Sequence, residues 1–153
     1  MRTGIGIDSH RFVPDRRLVL GGVEIPYELG LAGHSDADVL AHAIMDALLG
    51  AAGLGDIGQH YPDDDEAWSE ADSMDLLAEV VEMLEAVGWK LVHVDATIML
   101  ERPKIAPHRE AIKASLEKLV GSVNVKATTG EGMGFVGRGE GAAALAVATI
   151  APA

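Results

Sequence analysis

The stretch AAALAVATI, residues 142–150, is apolar on both of the faces that a β-strand presents. Successive side chains of a strand point to opposite sides, so a half-covered strand alternates apolar and polar residues. This one does not alternate, and both of its sides must be covered. The chain must therefore build a sheet around it, with helices against one face and a second surface, such as another subunit, against the other. Upstream patterns supply the parts. Residues 2–8 read as a strand, with Ile5 and Ile7 among glycines and facing the core. The run 18–25 reads as a hairpin around Gly21-Gly22, a dipeptide that tight hairpin turns favour. Residues 36–50 carry Val39, Leu40, Ala43, Ile44, Ala47 and Leu48 at helical spacing, with Ser35 or Asp36 as cap. Residues 73–87 give a second amphipathic helix between a capping Asp72 and a stopping Gly88. Residues 107–119 give a third, with Pro107 in its first turn. Residues 89–100 and 122–129 read as strands. With 48% hydrophobic residues in 153, the expectation is an α+β fold: one domain over 1–153, a sandwich of mostly β sheet with helices packed on one face. Two segments, 53–71 and 130–141, fit no element. Long unassigned stretches in a compact chain are more often functional than idle.

Composition narrows the chemistry. There is no cysteine, so disulfides and thiolate metal sites are excluded, and any metal must be held by His, Asp or Glu. The net charge of -12 argues against general nucleic-acid binding. No apolar run approaches membrane-spanning length, and the N-terminus has no signal-peptide pattern, so a cytoplasmic location is expected. The charge is unevenly spread. From Leu18 to Trp89 there are sixteen Asp and Glu and no Lys or Arg, while all twelve basic residues lie in 1–17 and 90–138. An acidic solvated middle explains this, and so does a middle that supplies metal ligands flanked by cations for an anionic ligand.

The stretch GIGIDSH ends in Asp8 and His10, which share a strand face and can converge on one point. Alone, an Asp and a His so spaced at a strand end are more often a surface pair. In HSDADVLAHAIMD, 34–46, Asp38, His42 and Asp46 stack at i, i+4 and i+8 beside the apolar stripe of the helix. His42 is then either a core-edge histidine bonded to a neighbouring Asp, or a third metal ligand oriented from behind by a carboxylate, for which Asp46 is the candidate. Two His and one Asp with an open fourth position is the pattern of catalytic zinc. A second group looks phosphate-directed. RPK, 102–104, precedes a helix N-terminus, and Lys126, Thr128, Thr129, Glu131 and Arg138 follow around glycines that free backbone N–H groups. It is equally a flexible turn, and no GK[ST] makes it a Walker A loop. A third is GDIG with HYPDDD, 55–65, which suits either a solvated loop or a site for polyol hydroxyls or a divalent cation.

Taken in order and spacing, GIGIDSH, HSDADV with His42 downstream, GDIG followed by PDDD, RPK, and VKATT with GFVGRGEG resemble the 2-C-methyl-D-erythritol 2,4-cyclodiphosphate synthases of the non-mevalonate isoprenoid pathway, over residues 3 to about 150. The resemblance implies a homotrimer with active sites between subunits. It implies zinc on Asp8, His10 and His42, and Mg²⁺ or Mn²⁺ bridging the diphosphate with help from Glu131. His34 and Thr129 fall on transition-state-stabilising positions, with Ser35 beside His34. Asp8 and His10 also face the substrate. Asp56, Ile57 and Gly58 hold the erythritol hydroxyls, and Tyr61, Asp63 and Asp65 line the same pocket. Leu100, Pro103, Lys104, Ile105 and Ala106, with Ala127, Thr128 and Thr129, cradle the cytidine and its phosphates. Phe135 and Arg138 lie near a central cavity where an isoprenoid diphosphate can bind.

This chain departs from the commoner pattern at Ala37, where Gly is frequent, and at Gly130 and Gly132, where Thr and Lys are frequent. The implied reaction is metal-assisted attack of the substrate's 2-phosphate on its β-phosphorus with loss of CMP. The alternatives are a metal-dependent phosphohydrolase on the same residues and a trimeric binding protein for anionic isoprenoids.

Overall fold

A computed structural model describes all 153 residues. Five strands form one mixed sheet in the order β4-β1-β7-β5-β6: β1 Arg2–Val13, β4 Gly30–Leu31, β5 Trp89–Met99, β6 Val123–Thr128 and β7 Gly141–Pro152. The doubly apolar strand is β7, and it sits at the centre, antiparallel to both β1 and β5. A separate two-stranded hairpin pairs β2 Leu18–Leu20 with β3 Val23–Ile25. Its turn residues Gly21 and Gly22 both have positive φ (58° and 78°), which glycine adopts at little cost.

The three long helices are α1 Val39–Ala52, α3 Ser73–Ala86 and α4 Arg109–Val120. A core of 34 buried residues joins them to one side of the sheet, as expected. The short α2 Ile57–His60 and α5 Gly134–Gly137, with a 3₁₀ turn at Glu66–Trp68, lie in the two segments that carried no sequence pattern. No helix is long and apolar enough to cross a membrane.

Two expectations reverse. On β1 the glycines, not the isoleucines, face the helices. Ile5 and Ile7 lie on the open sheet face, 62% and 63% exposed, whereas Gly4 and Gly6 touch the backbone of α1 at Ala43, Ala47 and Ala51. The reason is steric. α1 lies so close to β1 that no Cβ fits between them, so the apolar residues take the alternate positions. The open face therefore carries Ile5 beside Val147 and Ile7 beside Leu145.

The cap of α1 is Asp38 rather than Ser35 or Asp36. Its fully buried carboxylate accepts from Ala41 N at 3.0 Å, and also from Gly21 N and Gly22 N at 2.9 and 2.8 Å, fastening the hairpin to the helix start. Burial pushes this carboxyl up to about 6, against the pull of those three N–H groups.

Candidate metal centre and substrate pocket

β1 continues past its glycines and delivers Asp8 and His10 on the helix-facing side, because residues two apart share a face. α1 presents His42 from above. Three atoms meet there. His10 Nε2 lies 2.7 Å from Asp8 Oδ2, His42 Nδ1 lies 3.0 Å from the same oxygen, and the two nitrogens are 3.3 Å apart. His10 Nδ1 is 2.8 Å from the Ala32 carbonyl, which can only accept, so that nitrogen carries the proton and Nε2 turns its lone pair inward. The outward nitrogen of His42, Nε2, faces Ser73 Oγ at 2.9 Å and Ser35 Oγ at 3.2 Å.

The result is three acceptors pointed at one another, an arrangement that needs a proton or a cation between them. Bonds of 2.0–2.1 Å to a tetrahedral ion require ligand atoms roughly 3.3 Å apart. A slight opening of the triangle admits zinc, so the donor set fits. Burial pushes the Asp8 carboxyl up, but hydrogen bonds and charge from His10 and His42 outweigh it and hold the group at about 2. For His42, burial favours the neutral ring, and the bond to Asp8 with the charges of Asp8, Asp38 and Asp36 overrides it and raises the pKa. Asp8 is thus an anion over the whole physiological range, and the site attracts positive charge.

Asp46 does not stand behind His42. Its carboxylate accepts from Ile57 N at 2.8 Å, holding the GDIG loop. Helical spacing put Asp46 one turn along the same face correctly, but the outward nitrogen of His42 points away from its own helix, toward the start of α3.

Around the triad, Ser35 is buried and His34 is half-buried, with His34 Nε2 donating to the Asp65 carbonyl at 3.0 Å. Asp56 caps α2 through Gln59 N at 3.0 Å, leaving the Gly58 backbone open, and Ile57 is half-buried. Asp63 is exposed, and Asp65 caps the 3₁₀ turn through Ala67 N. The Tyr61 side chain is buried rather than open to a pocket. It packs edge-on against Trp68 and donates its hydroxyl to Glu79 at 2.9 Å. Sequence reasoning missed Arg16, whose guanidinium donates to the carbonyls of Gly33 and Ser35 at 2.9 and 2.6 Å and so orders the loop bearing His34. Nothing in its spacing marked it.

The second group assembles at the ends of β5 and β6. Leu100, Pro103, Lys104, Ile105 and Ala106 line one cavity of about 200 Å³ with Ala127, Thr128 and Thr129. None of the triad lines it. Asp8 pairs with Ala144, Ala144 with Ile98 and Ile98 with Ala127, so triad and cavity share one end of the sheet but stand three strands apart. That is about 14 Å of backbone separation. Glu101, also missed, accepts from Gly130 N and Gly132 N at 2.9 and 3.1 Å and pins the glycine loop. A side chain at Gly130 would strike the backbone of Met133 and Gly137, so the Thr frequent elsewhere could not enter this loop conformation. Glu131 is exposed at its tip, with its N–H on Thr129 Oγ1 at 3.2 Å. Phe135 lies 41% exposed beside Ser9 and Arg11, and Arg138 pairs with Glu140 at 3.3 Å.

Comparison with known proteins matches this arrangement. The model of the YgbB family covers residues 1–151. A 2-C-methyl-D-erythritol 2,4-cyclodiphosphate synthase of Chloroherpeton thalassium is 61% identical, with 98% of each chain aligned. A solved 2C-methyl-D-erythritol-2,4-cyclodiphosphate synthase in its CDP-bound form superposes at a TM-score of 0.90 with 39% identity, over 98% of this chain and 100% of that one. The bifunctional IspDF of Campylobacter jejuni superposes at 0.95 with 42% identity; this chain spans 99% of its own length and 42% of that protein. With the likeness running through every element that carries the triad, the chain belongs to the YgbB family.

Proposed function

We propose that this chain is a cyclodiphosphate synthase, a phosphorus-oxygen lyase of isoprenoid precursor biosynthesis. It takes 4-diphosphocytidyl-2-C-methyl-D-erythritol 2-phosphate to 2-C-methyl-D-erythritol 2,4-cyclodiphosphate and releases CMP. The observation that carries this reading is the convergence of three atoms able to ligate a metal, Asp8 Oδ2, His10 Nε2 and His42 Nδ1, in a chain whose relatives bear that name. An oxygen of the 2-phosphate attacks the β-phosphorus. The bond from that phosphorus to the oxygen shared with the α-phosphate breaks, and the oxygen leaves with CMP, taking the electron pair. The attacking phosphate is already an anion, so no side chain has to remove a proton.

Such a transfer asks for positioning and charge neutralisation more than covalent help. Zinc held by the triad, with Mg²⁺ or Mn²⁺ near Glu131, would polarise the β-phosphate and neutralise the diphosphate. His34 and Thr129 would hydrogen-bond the phosphoryl oxygens as charge builds on them. The open backbone at Asp56–Gly58 would receive the erythritol hydroxyls. The cavity at Leu100–Ala106 would hold the cytidine, with Lys104 at its phosphates.

We place the working site between subunits of a homotrimer. Two observations support this. The triad and the cavity at Leu100–Ala106 lie about 14 Å apart in one chain. The open sheet face also exposes Ile5, Ile7 and Val147, which a subunit interface would cover. Phe135 and Arg138 would then flank a central cavity suited to an isoprenoid diphosphate.

The test is turnover followed by phosphorus NMR and CMP release, with and without a chelator. A cyclic diphosphate with stoichiometric CMP, abolished by the chelator and by His42→Ala, is expected. A linear phosphate product, or turnover indifferent to both, would overturn the reading.

A further inference from the structure

His42 has one nitrogen in the triad and one outside it, and the outer one is held in a way that decides the inner one. Ser73 is the first residue of α3 and is fully buried. Its hydroxyl donates to Asp36 Oδ1, and its backbone N–H donates to Asp36 Oδ2 at 3.0 Å. A hydroxyl has one proton. With that proton committed to Asp36, Ser73 Oγ can only accept from His42 Nε2, 2.9 Å away. In the neutral ring His42 Nε2 must then carry the proton, and Nδ1 is left to present a lone pair to Asp8 and His10. Without Asp36, the serine hydroxyl could turn round and donate to Nε2, and the ring could place its proton on Nδ1, inside the site.

We infer that Asp36 and Ser73 form a positioning relay, carboxylate to hydroxyl to imidazole, which fixes the tautomer and orientation of His42 for metal binding. Neither residue touches the three converging atoms. Ser35 does not substitute, because its hydroxyl proton is not committed to any acceptor and it already receives Ala37 N at 3.2 Å. The relay also ties the start of α3 to the loop before α1, so α3 contributes to the site through a single hydroxyl.

The inference rests on the metal-centre reading, and two readouts separate their failures. Zinc affinity of the full chain is measured by chelator competition for wild type, Ser73→Ala and Asp36→Ala. The His42 ring is then followed by ¹⁵N NMR on zinc-free protein at pH 9. The expected result is zinc affinity about 10- to 100-fold weaker in both variants, together with a His42 ring that populates both tautomers where wild type shows only the Nε2–H form. If wild type binds no zinc, the metal reading fails, while the tautomer readout still judges the relay. Affinities within threefold of wild type overturn the relay. So does a weakened variant whose His42 keeps the pure Nε2–H tautomer, since the loss is then general loosening. Should Ser73→Ala not fold, Asp36→Ala, at a half-exposed position, decides by the same two readouts.

Discussion

Replacing Gly6 by alanine should dismantle the metal site without touching a ligand. Gly6 sits on β1 where α1 crosses it. A Cβ there would stand 2.7 Å from Ala47 N and 2.9 Å from the Ala43 carbonyl carbon, and closer still to the Ala43 oxygen, whereas ordinary contact begins at 3.4 Å. All these atoms are helix backbone, so no side chain can rotate away, and α1 must retreat by about an ångström. The retreat acts on the triad at once. Ala43 follows His42 on the helix, and Asp8 and His10 follow Gly6 on the strand. The His42 gaps of 3.0 and 3.3 Å would open by a large part of that shift, while metal bonds tolerate only about 0.2 Å.

The expected stability loss is about 1–3 kcal/mol, the usual cost of overpacking, read by urea unfolding. The expected drop in zinc affinity exceeds about 100-fold, more than loss of a supporting hydrogen bond would give. Ile5→Ala, one residue back on the opposite face, should leave zinc affinity unchanged. A Gly6→Ala protein that binds zinc within threefold of wild type, at a stability within about 0.5 kcal/mol, would refute the claim that this contact sets the site.

Ile7→Glu would place a charge in the apolar strip of the open face. Light scattering should then report single 16.0 kDa chains in place of the proposed three-chain assemblies, with an intact far-UV spectrum; an unchanged assembly mass would remove this face from the interface. For pH, the sign follows from the triad. The bond to Asp8 raises the pKa of His42 in the metal-free chain against the effect of burial, so a proton competes for Nδ1, and apparent zinc affinity should fall as pH drops, approaching about tenfold per unit once the pH lies below that raised pKa. Asp8, held at about 2, contributes nothing to that slope. Chelator competition between pH 8 and 5 checks it, and a flat profile contradicts it.

Much of this was legible because periodicity reports burial. β7 at the sheet centre, the Gly21-Gly22 hairpin and the Asp72 cap of α3 all follow from local pattern. So did the convergence of Asp8 and His10, since strand geometry alone puts them side by side. The face of β1 was misread for a physical reason. Glycine has no side chain to score, so a strand whose buried side is Gly, Gly, Asp, His looks buried on the side of its isoleucines. Only the distance to α1 decides between the two, and that distance is tertiary. The cap of α1 was shifted because Ser35, Asp36 and Asp38 are all capable caps, and the hairpin N–H groups select the third. The partner of His42 could not be read at all. Ser73 lies 31 residues away and is brought in by helix packing, whereas Asp46, its neighbour on the helix, is drawn off by the backbone of Ile57.

The acidic middle of the chain also takes on a different meaning. The candidate metal site has one carboxylate, Asp8, and it lies outside that middle. Within it, Asp36, Asp38, Asp46, Asp56, Asp65 and Asp72 each accept a backbone N–H, most at the start of a helix or turn. These acids build the loops that surround the site, and a carboxylate at a helix start is favoured by the exposed N–H groups there. Their charge still reaches the centre, since Asp36 and Asp38 both favour positive charge on His42. One set of residues therefore shapes the pocket and makes its field negative. A substrate bearing several phosphates would be repelled by that field alone. On the proposed function, the metal-loaded state would be the one able to receive it, because bound cations would offset that field.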